Sequence, residues 1–251
     1  MTDRFKSLYA QLQSADDFQR SQAVLQLEPG KAYDEQAVAA LVQIICDDPA
    51  LNVVEDATWA LVRYGTMATA PLLDQIEHDD PRARHNVVHA LGKLADTQAL
   101  PQLITATEDS DTAVRLKAVY VLGQIGDTRA IGPLIARLDD PVQDIQWTAR
   151  EVLEGFGEKA VPHLIGALAA ESAQVRELAA RLLGDSGDER AVEPLINALD
   201  TENWQVRFAI VEALGKIGDK RAWPVMGRMA DDADSRVRTM AKTASKMLGK
   251  R

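Results

Sequence analysis

A repeat of about 31 residues runs through most of this chain and constrains its fold more than any other feature. Proline, arginine and an acidic residue all recur with that period. The recurring residues are Pro71, Pro101, Pro133, Pro162, Pro194 and Pro224; Arg84, Arg115, Arg176, Arg207 and Arg238; and Asp96, Asp127, Glu158, Asp188 and Asp219. Because no single short unit buries its own apolar faces, the units must stack on one another.

One unit, residues 191–219, shows the predicted pattern of two helices. Its first part, residues 191–199, has apolar side chains at helical spacing, with Pro194 near the start, where a missing N–H is tolerated. Its second part is a longer amphipathic stretch that ends at Gly218, a residue suited to a left-handed C-cap. Asp219 is placed to cap the segment that follows. We call the two predicted helices of each unit A and B.

The pattern predicts an all-α fold, a right-handed superhelical α-solenoid of about eight two-helix units in a single domain of residues 1–251. Six units are clear, and one more begins near Ala37. A degenerate first unit spans residues 5–27. We divide the domain into a degenerate N-terminal cap repeat at 1–36, a repeat body at 37–219 and a basic C-terminal cap repeat at 220–251.

The motif of each unit reads Ala-Val-x-Pro-Leu-Ile-x-x-Leu and then Val-Arg-x-x-Ala-x-x-Ala-Leu-Gly-x-Ile-Gly-Asp, and it is clearest at 99–127 and 160–219. It resembles the short HEAT-like repeats of the phycobilisome-lyase family. The resemblance implies HEAT-like repeats with helix B on the concave side. Lyases of that family attach or remove linear tetrapyrroles on antenna-protein cysteines, often as two-subunit complexes. Because the matching positions are structural ones, the resemblance predicts the fold and leaves the activity open.

Composition narrows the class of protein. Apolar residues make up 46% of the chain but aromatic residues only 5%, so small aliphatic side chains must build most of the core. The formal net charge of −10 disfavours a general nucleic-acid binder. A single cysteine, Cys46, excludes an internal disulfide framework and is expected to be buried. The first residues lack a signal-peptide pattern and no stretch resembles a membrane span, so we expect a cytoplasmic protein with no membrane insertion.

Residues that determine function should lie where the repeat varies. Counted from the arginine position of helix B, offsets +1 and +5 lie one turn apart on one face. At these offsets the chain predicts a partner-binding groove with an apolar and aromatic floor and an acidic component. The groove residues are Trp59, His85, His89, Leu116, Tyr120, Trp147, Glu151, Phe208 and Glu212, with Glu55 and Glu177 as further acids. The alternative is that these rings are packing filler, as expected of Tyr64 and Phe156 at offset +10.

The periodic arginines favour a structural role. Acidic residues precede them closely, as Glu202 precedes Arg207, so we expect ion pairs within a unit and hydrogen bonds to the carbonyls of the A–B turn. Val54 and Gln146 take the arginine position in two units, where this series is interrupted.

A metal site is not predicted. His85 and His89 have the i, i+4 spacing of two ligands on one helix face, and Glu55 lies one unit away, which makes these three residues weak candidates. The iron-binding HEAT-repeat hydroxylases use repeated His-Glu pairs. None of the four histidines here is followed by glutamate, so those ligands are absent from the sequence.

The end of the chain is basic. No acidic residue follows Asp234, and Arg238, Lys242 and Lys246 form an i, i+4, i+8 stripe. This stripe is either a solvated terminal cap, with cations suited to a helix C-terminus, or a secondary docking patch for an acidic partner.

These patterns favour a non-enzymatic protein–protein interaction scaffold, adaptor or assembly factor, with no catalytic residue and no cofactor. The partner is another protein, with a phycobiliprotein or a component of an assembly machinery as candidates. The first alternative is a phycobilin lyase-like protein or subunit that handles a linear tetrapyrrole; it is the only enzymatic alternative. The second is a metal or iron–sulfur assembly helper. The sequence leaves the oligomeric state open.

Overall fold

A computed structural model describes residues 3–249, so Lys250 and Arg251 of the basic tail lie outside the described residues. Within that range all regular structure is helical, which confirms the predicted all-α class. The α-helices are α1 (Asp3–Leu12), α2 (Asp17–Leu25), α3 (Asp34–Asp47), α4 (Leu51–Tyr64), α5 (Thr69–Leu73), α6 (Pro81–Leu94), α7 (Leu100–Thr105), α8 (Thr112–Ile125), α9 (Ile131–Ala136), α10 (Gln143–Gly155), α11 (Val161–Ala167), α12 (Ala173–Ser186), α13 (Val192–Asn197), α14 (Trp204–Ile217), α15 (Trp223–Met229) and α16 (Ser235–Leu248). No helix in the described range is long and apolar enough to cross a bilayer.

The helices form two compact units, one ending at Ile125 with α1–α8 and one beginning at Gly126 with α9–α16. Each unit contains four A–B pairs, in which an even-numbered B helix packs against the A helix before it. Within each unit the successive B helices also pack on one another. The single domain and its cap boundaries stay a prediction.

In the unit at residues 191–219, helix A is shorter than the predicted 191–199, since α13 spans Val192–Asn197. Residues 189–191 form a 3₁₀ turn, and the α-helix α13 begins only at Val192. Before this turn the Asp188 carboxylate accepts a hydrogen bond from the Arg190 N–H at 2.8 Å. The predicted cap at Asp219 is confirmed, because its carboxylate accepts from the Arg221 N–H at 2.8 Å. Asp96 and Asp127 cap their turns in the same way.

Several B helices end with a residue in the left-handed conformation, as the sequence predicts at Gly218. Gly218 has a φ of 79° and ends α14 as a C-cap. Ala95 ends α6 at the equivalent position with a φ of 51°, although a side chain makes this conformation unfavourable.

Glycines inside the B helices allow these helices to approach one another closely. A Cβ added at Gly184 would lie 2.6 Å from the Ala213 Cα of the next B helix. At Gly215 a Cβ would lie 2.7 Å from the Cβ of Ala244, and at Gly92 one would lie 2.6 Å from a methyl group of Val121. The glycine of the Leu-Gly motif is therefore a packing residue, which leaves room for the neighbouring helix.

Small aliphatic side chains build the core, as the composition predicts. The largest fully buried side chains are leucines and isoleucines, with Phe5 as the aromatic exception. Tyr64 and Phe156 are buried, which confirms the prediction that they are packing residues. Cys46 is buried too, and burial raises the pKa of its thiol to about 11.

The periodic arginines bind the turns between A and B helices, which confirms their structural role. Nη1 of Arg207 donates to the Thr201 carbonyl at 2.7 Å, and Nη1 of Arg84 donates to the His78 carbonyl at 2.8 Å. Gln146 takes over the same bond where arginine is missing, because its amide donates to the Asp140 carbonyl at 2.6 Å.

The predicted ion pair between Arg207 and Glu202 of the same repeat is wrong. Its guanidinium makes a bidentate pair with Asp232 of the following repeat, at 2.8 and 3.0 Å, and not with Glu202. Arg84 pairs in the same way with Asp109, at 2.7 and 2.8 Å. Each guanidinium lowers the pKa of its carboxylate partner. These side chains therefore link consecutive repeats, whereas the sequence pattern suggested a link within one repeat.

We predict that Gly184→Ala destabilises the protein by about 1–3 kcal/mol, because the new methyl group would meet the backbone of α14. Urea denaturation measures the free energy of unfolding. Gly166→Ala is the matched control, since a Cβ at Gly166 of α11 meets no atom within 4 Å. That change should be neutral or stabilising by up to about 1 kcal/mol. Equal free energies of unfolding for the two variants would contradict the close approach.

Candidate partner-binding surfaces

Three of the predicted groove residues are large aromatic side chains that are exposed to solvent. Trp59 of α4 is 51% exposed, Tyr120 of α8 is 52% exposed and Trp147 of α10 is 67% exposed. Leu116 and Phe208 are half-buried. The alternative that the rings are packing filler therefore fails for these three aromatic residues.

In the first unit the predicted residues lie on α4, α6 and α8, and we call them the first-unit surface: Glu55, Trp59, His85, His89, Leu116 and Tyr120. Two cations accompany its rings. Lys93 Nζ of α6 lies 5.5 Å from the ring centre of Trp59, and Lys117 Nζ of α8 lies 6.0 Å from that of Tyr120. Both separations fall within the range of cation–π attraction.

The two histidines of the first-unit surface are half-buried on α6. Burial lowers the pKa of His85 below its ordinary value. Burial and the neighbouring Lys117 also lower the pKa of His89, and they outweigh the opposing effect of Glu55. Glu55 Oε1 lies 3.3 Å from His89 Nε2, yet the two atoms are not aligned for a hydrogen bond. His89 is therefore held in its neutral form, and its contact with Glu55 is not a charged pair at neutral pH.

The arrangement of His85, His89 and Glu55 does not favour a metal. Among residues 3–249, no group of three or more His, Cys, Asp or Glu side chains is arranged to hold a metal ion. Lys93 and Lys117 also lower the pKa of His89 by repulsion of positive charge, and they would repel a metal cation in the same way.

In the second unit, Trp147 and Glu151 of α10 together with Phe208 and Glu212 of α14 form the second-unit surface. Trp147 lines a pocket of about 300 Å³ between α10 and α12. Leu178 supplies a second apolar wall, and Gln143, Asp144 and Arg150 supply polar groups. Glu151 lies one turn beyond Trp147 and is exposed.

Two of the four acids predicted for the groove, Glu177 and Glu212, are paired with cations. Arg181 of α12 lies 3.0 Å from Glu177 and 2.6 Å from Glu212, and its guanidinium also lies 5.9 Å from the ring centre of Phe208. Lys216 approaches Glu212 at 3.2 Å. Glu212 is therefore committed to two cations, whereas the Glu151 side chain makes no ion pair among the described residues.

The predicted basic docking patch divides into two parts. Arg238 is half-buried, and its Nη1 donates to the carbonyls of Asp232 and Ala233 at 2.7 and 2.9 Å. It therefore has the structural role of the periodic arginines. Lys242 and Lys246 of α16 are exposed.

Sequence reasoning missed the residues that set the charge around each ring. Lys93 and Lys117 lie outside offsets +1 and +5, although i, i+3 spacing already places Lys117 beside Tyr120 on α8.

Leu25 is an exposed apolar residue that the sequence pattern also did not reveal. Arg20 binds the Ser14 carbonyl as the later arginines bind theirs, so Leu25 is at offset +5 of α2, where it is 47% exposed. The missing Val-Arg motif in the first repeat hid this alignment.

The sequence profile described as HEAT repeats matches residues 69–154 and 161–246. No curated protein matches the chain in sequence.

Three solved structures that are similar to this chain are the following. An archaeal HEAT-like repeat protein from Thermococcus onnurineus NA1 is 15% identical with a TM-score of 0.51, covering 85% of this chain and 97% of that one. The CpcE–CpcF complex of phycocyanin lyase from Nostoc sp. PCC7120 is 22% identical with a TM-score of 0.43, covering 98% and 93%. Human deoxyhypusine hydroxylase is 24% identical with a TM-score of 0.39, covering 86% and 97%. The archaeal likeness supports the solenoid fold.

We predict that the free energy of unfolding falls as the pH drops from about 7 towards 5. Because the pKa values of His85 and His89 are lowered in the folded protein, the unfolded chain binds more protons below the ordinary value of 6.5. Urea denaturation of the wild type and of the His85→Gln/His89→Gln double variant at both pH values measures this. The double variant should show a weaker dependence on pH, and His163→Gln, at an exposed position, is the control. An equal pH dependence in the double variant and the wild type would contradict the assignment.

Proposed function

We propose that this chain, which belongs to the HEAT-repeat family, is a non-enzymatic scaffold or adaptor that binds a partner protein through the aromatic side chains of its B helices. One observation carries the proposal. Trp59, Tyr120 and Trp147 occupy offsets +5, +5 and +1 of the B helices in three different repeats, and each is more than half exposed.

Exposure of these rings has no packing reason within the described chain. Aromatic side chains are among the residues that contribute most to the free energy of protein–protein association, because they bury a large area and lose little rotamer entropy. The B helices hold them on rigid elements, so little conformational entropy is lost when a partner binds. A function as an assembly factor for one partner protein fits the same arrangement.

We predict that Tyr120→Ala and Trp147→Ala each lower the recovery of the bound partner by about tenfold. The partner is identified by crosslinking to the wild-type protein in cells, followed by mass spectrometry. Recovery of that same protein by each variant is then measured, with circular dichroism as the check that the fold is intact.

Matched controls separate this surface from general hydrophobicity. Phe18→Ala removes a ring that is 67% exposed in the first unit, outside the +1 and +5 offsets. Trp223→Ala removes a ring that is 44% exposed on the A helix α15. Both controls should retain the partner. Recovery that is unchanged in Tyr120→Ala and Trp147→Ala would refute the proposal.

The alternative of a lyase-like protein that handles a linear tetrapyrrole has one supporting feature. The Glu151 carboxylate lies one helical turn from the exposed Trp147 ring, where it can accept hydrogen bonds from pyrrole N–H groups. Glu212, another acid of the predicted groove, is instead paired with Arg181 and Lys216. A role as a metal or iron–sulfur assembly helper receives no support from the positions of His85 and His89.

The scaffold proposal predicts that micromolar phycocyanobilin keeps its visible absorbance spectrum when the pure protein is added, because the pocket at Trp147 is open and has a volume of only about 300 Å³. Absorbance titration measures this directly. A spectral shift that disappears in Glu151→Gln would favour the tetrapyrrole alternative over the scaffold proposal.

A further inference from the structure

We infer that the surface at Trp147 binds a cationic side chain, with arginine preferred, from a basic peptide segment of the partner protein. The inference rests on the proposed function, since it specifies what one part of the binding surface recognises. It depends on which rings already carry a cation and which carboxylates remain unpaired.

Trp147 differs from the other aromatic residues at the same helix offsets. Lys93 lies over Trp59, Lys117 over Tyr120 and Arg181 over Phe208, at 5.5, 6.0 and 5.9 Å from the ring centres. Within residues 3–249 no Lys or Arg lies over the Trp147 ring, although this ring is the most exposed of the four. An indole face attracts cations more strongly than a phenol or benzene face does. The preferred cation position at Trp147 is therefore open to a partner.

Two carboxylates flank this ring on the same helix. Asp144 and Glu151 lie at i−3 and i+4 from Trp147, so both lie on the Trp147 side of α10. Both are exposed, and within the described part of the chain neither side chain makes an ion pair or hydrogen bond. The two negative charges beside an open indole face complement an approaching cation.

The arginine of the same helix, Arg150, is held in other contacts. Arg150 lies three residues after Trp147, but its guanidinium binds Glu154 at 2.9 Å and Asp185 of α12 at 3.3 Å. Those two acids keep Arg150 from neutralising Asp144 and Glu151. The sequence of α10 contains three acids and this single arginine, so the helix as a whole is negative.

The pocket beside the ring suits a peptide side chain. Its volume of about 300 Å³ lies at the low end of the range for ligand pockets, and Leu178 offers an apolar wall for the methylene groups of an arginine. Gln143 at the same pocket offers an amide that can donate to or accept from a peptide backbone. Arginine is preferred over lysine, because its planar guanidinium stacks on the indole and forms bidentate bonds with a carboxylate.

The charge around Trp147 argues against an anionic partner at this position. A phosphate or nucleic acid would face the unpaired carboxylates of Asp144 and Glu151, which would repel it. Tyr120 in the first unit has the opposite surroundings, since α8 contains Arg115 and Lys117 and no acid. A partner segment that binds at Trp147 is therefore distinguished by its positive charge.

The test uses the full-length protein and three fluorescein-labelled peptides of equal length, in which glycine alternates with arginine, lysine or glutamate. Fluorescence anisotropy at low salt measures each dissociation constant. The arginine peptide should bind most tightly, the lysine peptide more weakly and the glutamate peptide not at all. Trp147→Ala should weaken arginine-peptide binding about tenfold, and Trp147→Phe should weaken it less.

The charge contribution is tested with two matched double variants. Asp144→Asn/Glu151→Gln should weaken arginine-peptide binding about three- to tenfold at low salt, with a smaller effect at high salt. Asp200→Asn/Glu202→Gln removes the same net charge from exposed positions in the α13–α14 turn and should leave binding within about twofold. Trp59→Ala should also leave it unchanged, because Lys93 already lies over that ring.

Three results would overturn the inference: no binding of the arginine peptide to the wild type, equal weakening by the two double variants, or tighter binding of the glutamate peptide. The proposed function fails separately. If Trp147→Ala loses the crosslinked partner while the arginine peptide does not bind, the scaffold role stands and the charge assignment is wrong. If the arginine peptide binds through Trp147 but the partner is retained by every variant, the site exists and the proposed role in partner capture is wrong.

Discussion

The close approach of successive B helices is the contact on which the rest of each unit depends. At Gly184 the backbone of α12 lies so near to α14 that a single added carbon would be 2.6 Å from the Ala213 Cα, and Gly92 and Gly215 mark similarly close contacts. Helices that pack at short distance bring equivalent side chains of consecutive repeats into neighbouring positions. Each A helix packs against the B helix that follows it, and six of the A helices (α5, α7, α9, α11, α13 and α15) follow a 3₁₀ turn.

Ion pairs between repeats complement that packing. A periodic arginine donates hydrogen bonds to the carbonyls of its own A–B turn. In the pairs Arg84–Asp109 and Arg207–Asp232 it also forms an ion pair with a carboxylate of the next repeat. These guanidinium groups are largely removed from solvent. Their bidentate ion pairs therefore contribute more to the alignment of consecutive repeats than exposed ion pairs would. Gln146 retains the carbonyl bond with a neutral amide.

With the packing faces and the turns occupied, the exposed face of the B helices is free to vary, and it differs in charge between the two units. In the first unit lysines lie over Trp59 and Tyr120, while in the second unit Arg181 is shared among Glu177, Glu212 and Phe208. Trp147 has neither kind of partner and lies between two unpaired carboxylates. The same helix offsets therefore provide surfaces of different chemistry in the two units.

The amino-acid sequence by itself determined the repeat length, the all-α class, the Gly218 and Asp219 caps and the helix face on which Trp59, Tyr120 and Trp147 lie, because these follow from periodicity and local backbone preferences along one helix. Only the tertiary structure decided which charges meet. Arg207 pairs with Asp232 of the following repeat, and Glu212 is neutralised by Arg181 of the preceding B helix, although the sequence pattern suggested an internal pair and a free acid. An ion pair depends on distances of a few ångströms between side chains about 25–31 residues apart, and helical periodicity specifies the face of a side chain but not its neighbour on the next helix.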